Sequence, residues 1–215
     1  MAVESTERRL SPARQRARRD GQILDALEAL LAETPLRDLG VEEIAETAGI
    51  TRTRFYVYYQ SKHDAYAAVL ARLAAMILES YRSQGTWFER EPQVRPREAL
   101  LETFRITSRV WWEHRAVLRE ASDLWNTFGD TANPWRALMA EFIQRIRASI
   151  EGERERGLAP AGVPAQDLAE FLMWQTERML FLRILDDREP DEALAATMVE
   201  VWIRSIYLAD DPDPL

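Results

Sequence analysis

Ile23, Leu24, Leu27, Leu30 and Leu31 recur at the spacing of one face of an α-helix, and the same period returns along almost the whole chain, whereas the strict alternation of a half-buried strand does not. This periodicity confines the chain to an all-α fold. About nine helices are predicted, over 19–33, 41–48, 51–59, 61–82, 97–112, 115–126, 134–156, 165–185 and 191–208. Thr34-Pro35, Gly49, Gly129-Asp130, the Gly157 to Pro164 stretch and the Asp186 to Pro190 stretch separate them, because Gly and Pro supply backbone geometries that a helix cannot continue. Residues 83–96, with Gly85, Pro92 and Pro96, read as a loop. With 47% apolar and 30% charged residues over 215 positions, the composition is that of a folded chain rather than a disordered one. No apolar run reaches membrane-spanning length, and the start lacks the apolar block of a secretion signal. A cytoplasmic protein without a membrane partner is expected.

Cysteine is absent, which removes disulfides, thiolate nucleophiles and sulfur-ligated metals. The two histidines, His63 and His114, are far apart in sequence and neither has the spacing of a zinc motif. No metal or cofactor is expected, and any catalysis would have to rest on carboxylates.

The net charge of −8 is unfavourable for a nucleic-acid partner if it is spread evenly, but it is not. Basic and acidic residues balance over Met1–Lys62, so the whole excess of negative charge lies beyond Lys62. Within the first part, Arg8, Arg9, Arg14, Arg16, Arg18 and Arg19 face only Glu4 and Glu7 up to Arg19. A basic, flexible arm is expected over 1–18, ahead of a near-neutral module over 19–62 and an acidic helical body over 63–215. The arm reads equally as a solvated tail and as a segment that tracks a phosphate backbone.

Residues 39–62 read LGVEEIAETAGITRTRFYVYYQSK. A short helix, a turn at Ala48-Gly49-Ile50 and a second short helix opened by Thr51 compose a helix-turn-helix, whose second helix can enter a DNA major groove. Ile44, Ala45, Ile50, Phe55 and Tyr59 fall on the side that packs against the first helix. Arg52, Thr53 and Tyr56, with Arg54 and Tyr58, fall on the other. Arginine can bond two acceptors of guanine, and hydroxyls can bond phosphates or base edges. Ser61-Lys62-His63-Asp64 fits a capping box that starts the next helix. Lys62, the only lysine in the chain, lies in that helix's first turn, where a cation opposes the helix dipole. It therefore needs a partner, for which a phosphate is the expected one.

The stretch from about Ile23 to Leu70, with LEAL, IAETAGI and T-x-x-x-FYVYYQSK, resembles the TetR family of one-component transcriptional regulators. ERERG (Glu153 to Gly157), TERMLF (Thr176 to Phe181) and VEVWIRSIY (Val199 to Tyr207) are similar, more narrowly, to the EthR-type repressors of that family. The resemblance implies a helix-turn-helix DNA-binding domain followed by a helical domain for ligand binding and dimerisation. It places Arg52, Thr53, Arg54, Tyr56, Tyr58 and Lys62 against DNA, with Thr51 opening the helix and Val41 offering its amide. It also implies a homodimer through the last two helices on a near-palindromic operator, released by a small apolar or amphipathic effector. One departure is the acidic Gly40-Val41-Glu42-Glu43, where family members often carry Thr or Ser with basic neighbours.

All seven tryptophans lie beyond Lys62. Trp135, Met139 and Phe142 share one helix face, and Met173, Thr176 and Glu177 share another. Such aromatic and Met-rich faces make either an ordinary core or the wall of an apolar cavity. The resemblance implies the cavity, lined by Trp111, Trp135, Met139, Phe142, Met173, Thr176, Glu177, Phe181 and Trp202. Two readings from other classes remain open on residues alone: a carboxylate-dependent helical enzyme, and a helical protein-interaction adaptor.

Overall fold

The computed structural model describes residues 11–208, apart from 84, 92 and 124–133. Nine α-helices and two 3₁₀ turns occupy the described residues, with no strand among them. The helices are α1 Pro12–Leu31, α2 Val41–Thr47, α3 Arg52–Phe55, α4 Lys62–Ser83, α5 Pro96–Glu113, α6 Arg115–Arg119, α7 Pro134–Glu155, α8 Ala165–Leu185 and α9 Glu192–Tyr207. They form two compact units, Met1–Val69 and Leu70–Leu215, and the division falls inside the unbroken helix α4. The boundary expected from the sequence lies earlier, at Lys62. The first turns of α4 bury Ala65, Tyr66 and Val69, so they supply core to the first unit before the helix passes into the second.

In the first unit, α1 packs on α2 and α2 on α3. Ile23, Leu27, Ile44 and Phe55 have no solvent exposure, which is the stripe that the periodicity predicts. The expected basic arm over 1–18 is corrected in its second half. Helix α1 starts at Pro12, because the Ser11 hydroxyl accepts from the Arg14 amide and proline stands at the first helical position, where its missing N–H costs nothing. Residues 1–10, including Arg8 and Arg9, lie outside the described residues. The turn after α2 is built as expected: Gly49 has φ 67°, and the Gly49 and Ile50 amides donate to the Glu46 and Ala45 carbonyls, each at 2.9 Å, a left-handed cap that returns the chain toward α3.

In the second unit, α7 packs chiefly on α8, and α9 on α5. Residues 83–96 are not a plain loop: Trp87–Glu89 form a 3₁₀ turn that packs on α5 and α7. Trp87 is buried, and its indole N–H donates to the Tyr207 hydroxyl at 2.8 Å. The helix expected over 115–126 is α6 followed by a 3₁₀ turn at Glu120–Asp123; its end, with Trp125, and Phe128 lie outside the described residues.

A buried ion pair ties these elements together. The Arg90 Nη2 donates to both oxygens of Glu153 at 2.8 Å, and its Nη1 donates to the Val94 carbonyl at 2.7 Å. Both side chains are only 1% exposed. Arg156 donates to Glu153 from the solvent side at 2.5 Å. The Tyr207 hydroxyl also hydrogen-bonds Glu153, and burial together with this carboxylate raises its pKa above the ordinary value. Charges so deeply buried are tolerated only when mutually satisfied. Arg90→Met, which leaves Glu153 without its main partner, is expected to lower the unfolding free energy by about 3–5 kcal/mol, read as a fall in urea midpoint. Arg156→Met, at the exposed edge of the same network, should cost about 1 kcal/mol or less.

Candidate nucleic-acid interface and ligand chamber

Helix α3 is four residues long, and hydrogen bonds continue its path as a tightened turn. The Tyr56 and Tyr59 amides donate to Arg52 and Phe55 carbonyls, while those of Val57 and Tyr58 donate three residues back. The helix expected over 51–59 therefore ends early, drawn tighter while Phe55 stays fully buried. Thr51 caps it, its Oγ1 accepting from the Arg54 amide at 3.2 Å. Tyr59, on the inner side, donates to Asp20 of α1 at 2.5 Å.

The outer side is open. Arg52, Thr53, Arg54 and Tyr56 are exposed, Tyr58 is half-buried, and Val41 stands half-buried at the start of α2. The Arg52 guanidinium is already engaged: its Nη1 hydrogen-bonds Glu42 of α2, its Nη2 lies 3.4 Å from the Tyr56 hydroxyl, and its carbon sits 5.7 Å from the Tyr56 ring centre. The bond to Tyr56 and the charge of Glu42 raise its pKa. The acidic start of α2, whose carboxylates offer nothing to a phosphate, thus holds an arginine of the next helix. Two guanidiniums approach the Tyr58 ring, Arg16 at 5.8 Å and Arg54 at 5.9 Å from its centre. Val57, 58% exposed between the two tyrosines, went unremarked in the sequence because valine carries no polar chemistry; an apolar side chain there can meet a thymine methyl.

Lys62 differs from its expectation. Its ammonium donates to the carbonyls of Arg37 and Leu39, both at 2.8 Å, rather than standing free for a phosphate. Those carbonyls belong to the turn between α1 and α2, anchored by the buried Leu36 and Leu39. The lysine does have a partner that outweighs the unfavourable helix dipole, and that partner is backbone of its own unit. The Asp64 amide donates to the Ser61 hydroxyl at 3.1 Å, the half of the capping box that starts α4.

In the second unit, seven of the nine expected ligand residues line one chamber: Trp111, Trp135, Met139, Phe142, Met173, Thr176 and Trp202. Leu73, Ala74, Ile77 and Tyr81 of α4 form another wall. Nothing in the sequence marks these α4 residues as a wall, because the helical period alone cannot tell a core face from a cavity wall. The chamber is narrow, with a void of about 50 Å³, room for a few waters. Its hydroxyls are all hydrogen-bonded: that of Thr103 donates to the Ala99 carbonyl at 2.8 Å and accepts from the Trp87 amide at 3.0 Å. The Trp202 indole donates to Thr176 at 3.1 Å, and Tyr81 shares a 2.6 Å hydrogen bond with Thr107. Burial pushes the Tyr81 hydroxyl up to about 12.

Glu177 and Phe181 are corrected: neither lines the chamber. One residue beyond Thr176, Glu177 is rotated by the helix pitch behind the chamber wall. It is 4% exposed. Its Oε2 has no hydrogen-bond partner, and the nearest Arg178 nitrogen is 3.8 Å away. Burial raises its pKa, more than Arg178 and a hydrogen bond from Trp135 lower it. Phe181 is buried beneath the Arg178 guanidinium, 5.2 Å from its ring centre. Elsewhere on α8, Phe171, Met179, Leu182 and Leu185 are exposed, Phe171 by 66%.

The described residues contain no group of three His, Asp or Glu side chains able to hold a metal ion, and no described helix is long and apolar enough to cross a membrane.

Residues 23–69 match the family described as bacterial regulatory proteins, tetR family, and residues 100–208 match the C-terminal domain of the transcriptional regulator EthR. The HTH-type transcriptional regulator EthR of Mycobacterium tuberculosis is 33% identical over 195 residues, covering 88% of this chain and 87% of that protein. EthR of Mycolicibacterium smegmatis is 29% identical over 191 residues, covering 88% and 86%. Among solved structures, a TetR-family transcriptional regulator from Rhodococcus sp. superposes with a TM-score of 0.71 at 16% identity, covering 89% of this chain and 99% of the other. Salmonella enterica GusR does so with 0.71 at 17%, covering 87% and 95%.

Burial of Glu177 has a measurable consequence. A carboxyl whose folded-state pKa is raised holds its proton to higher pH in the folded than in the unfolded chain. The stability tied to that proton is full below the ordinary value of 4.5 and is lost as pH rises through the folded pKa. Glu177→Gln has no proton to lose. The melting temperature of the unsubstituted protein, minus that of Glu177→Gln, is expected to fall as pH is raised from about 4.5 toward neutrality, followed by differential scanning calorimetry; a flat difference would show that the carboxyl is not desolvated.

Proposed function

Because the chain belongs to the TetR family of transcriptional regulators, in its EthR-type branch, we propose that it is a ligand-responsive repressor that binds a near-palindromic operator as a homodimer. The observation that carries the reading is α3 itself. Its inner side is locked by Phe55 and Tyr59, while its outer side presents Arg52, Thr53, Arg54 and Tyr56 to solvent. Arg52 and Tyr56 would read base edges, helped by Val57. Thr51, Thr53, Arg54, Tyr58 and the Val41 amide would hold phosphates. Lys62 is assigned a strut's role: by gripping the α1–α2 turn it fixes the start of α4 to the module, leaving at most one of its N–H groups for a phosphate.

The effector would be apolar and would enter the chamber of Trp111, Trp135, Met139, Phe142, Met173, Thr176 and Trp202. A void of about 50 Å³ is too small for such a molecule, so binding has to part the walls, and Met139 and Met173 are the side chains best able to give way. One of those walls is α4, which carries Leu73, Ala74, Ile77 and Tyr81 at the chamber and Lys62 at its other end. A ligand that widens the chamber therefore acts on the helix that leads to the recognition module, and its differential affinity for the two arrangements supplies the switch. The exposed apolar side chains of α8 support dimerisation through α8 and α9, since such a patch calls for cover and a symmetric partner is the commonest one. Two recognition helices so paired would need a spacing of whole DNA turns.

With an operator obtained by binding-site selection, Arg52→Ala and Tyr56→Ala are each expected to weaken specific binding at least ~10-fold, as loss of a base contact does, while the dimer persists in sedimentation. Lys62→Met is expected to weaken binding without altering its salt dependence, whereas loss of a phosphate contact would make the slope of log K against log salt shallower by about 0.9 per protomer. An apolar effector found by thermal shift should release the DNA, and Phe142→Ala should blunt both effects.

A further inference from the structure

The first two turns of α1 pack on nothing that their sequence alone would explain. Every described side chain from Ala13 to Arg19 is exposed, and the buried stripe begins only at Ile23. Those residues read ARQRARR and carry four arginines and no acid. Their electrostatics oppose the helix. Cations in a first turn face the positive end of the dipole, and Arg14 and Arg18 stand one above the other as a like-charged pair. The helix is started by Ser11 and Pro12, and it is positioned by Arg16, which lies against Tyr58 just beyond α3. The same ring meets Arg54 of α3. A cationic helix of about 10 Å, with no buried face of its own, is thereby pinned beside the element that reads DNA, in a protein whose remaining charge is strongly negative.

We propose that residues 13–19 form a rail for the DNA backbone, on which Arg14, Arg18 and Arg19 bind phosphates whatever the sequence, while Arg16 positions the rail through Tyr58. The inference rests on the reading of α3 as the recognition helix. Duplex DNA presents one charge per about 1.7 Å along its axis, so a rod of this length meets several. Phosphates would replace mutual repulsion among the arginines with attraction, and the rail would supply the cationic surface that the acidic body and the acidic start of α2 withhold.

The test uses Arg14→Gln/Arg18→Gln/Arg19→Gln in the full-length protein, with glutamine chosen because it keeps helix propensity; helix content should be retained and the melting temperature should not fall, since the repulsion among the arginines is removed. Affinity for the selected operator is measured by fluorescence anisotropy from about 50 to 200 mM salt. The slope of log K against log salt is expected to become shallower by about 2–5 for the dimer, and by up to about 1.8 for Arg18→Gln alone, while the ranking of single-base operator variants stays the same. An unchanged slope would overturn the proposal, and so would a changed ranking, which would make these residues base readers. If the unsubstituted protein did not prefer its selected duplex to an unrelated one, the recognition-helix reading itself would fail, and this outcome is distinct from either of those.

Discussion

A helix of four residues has no stability of its own, because its nucleus fixes several residues for almost no hydrogen bonds. Helix α3 exists because Phe55 is carried wholly into the core formed by α1 and α2. The Thr51 cap and the left-handed Gly49 bring the chain to the point where that ring can enter. Everything on the outer side of α3 depends on this one insertion: Arg52 and Tyr56 lie where they do because Phe55, between them and Tyr59, cannot be anywhere else. The outer surface is rigid at its root and solvent-exposed at its tips.

The second unit is held differently. Its polar network of Arg90, Glu153, Tyr207 and Trp87 joins the segment before α5 to the ends of α7 and α9. The chamber, by contrast, is almost wholly apolar, and its hydroxyls are occupied by the Trp202 indole, by helix backbone or by one another. Strong directional contacts at one site and soft packing at the other give the unit a fixed frame and a deformable interior. Packing without directional bonds is also what allows a void to open, since no hydrogen bond has to break when apolar side chains part. Thr176 and Trp202 are the exception, and a ligand with one acceptor could take that indole N–H.

Most of the fold was legible in the sequence because helical period and punctuation are local signals. Helix α8 has the bounds that the pattern predicts, and Gly49 marks its turn by chemistry that only a left-handed residue explains. Two misreadings have causes of opposite kinds, one local and one distant. Ser11-Pro12 is a strong helix start that the density of arginines masked, and Trp87 sits in a turn whose burial depends on Tyr207, far away in sequence. The site was less legible. Faces could be assigned, but not their partners: Lys62 gave the sign of its need without revealing that backbone carbonyls answer it. Glu177 shares a helix face with Thr176 on a helical wheel, yet a single residue's rotation places it behind the wall. Spacing tells which way a side chain leans; what it meets there is decided by the rest of the chain.

On the proposed reading of α3, the contact between Glu42 and Arg52 changes what selectivity means for this surface. A guanidinium that leaves water for a guanine loses hydration; one that leaves a carboxylate also forfeits a salt link already made. Because both side chains are exposed, that link is weak, and a duplex offering a matching pair of acceptors would draw the guanidinium away from it. On that reading the acidic turn is a resident competitor: an exposed link that costs little to break is released only where the duplex gives Arg52 more in return.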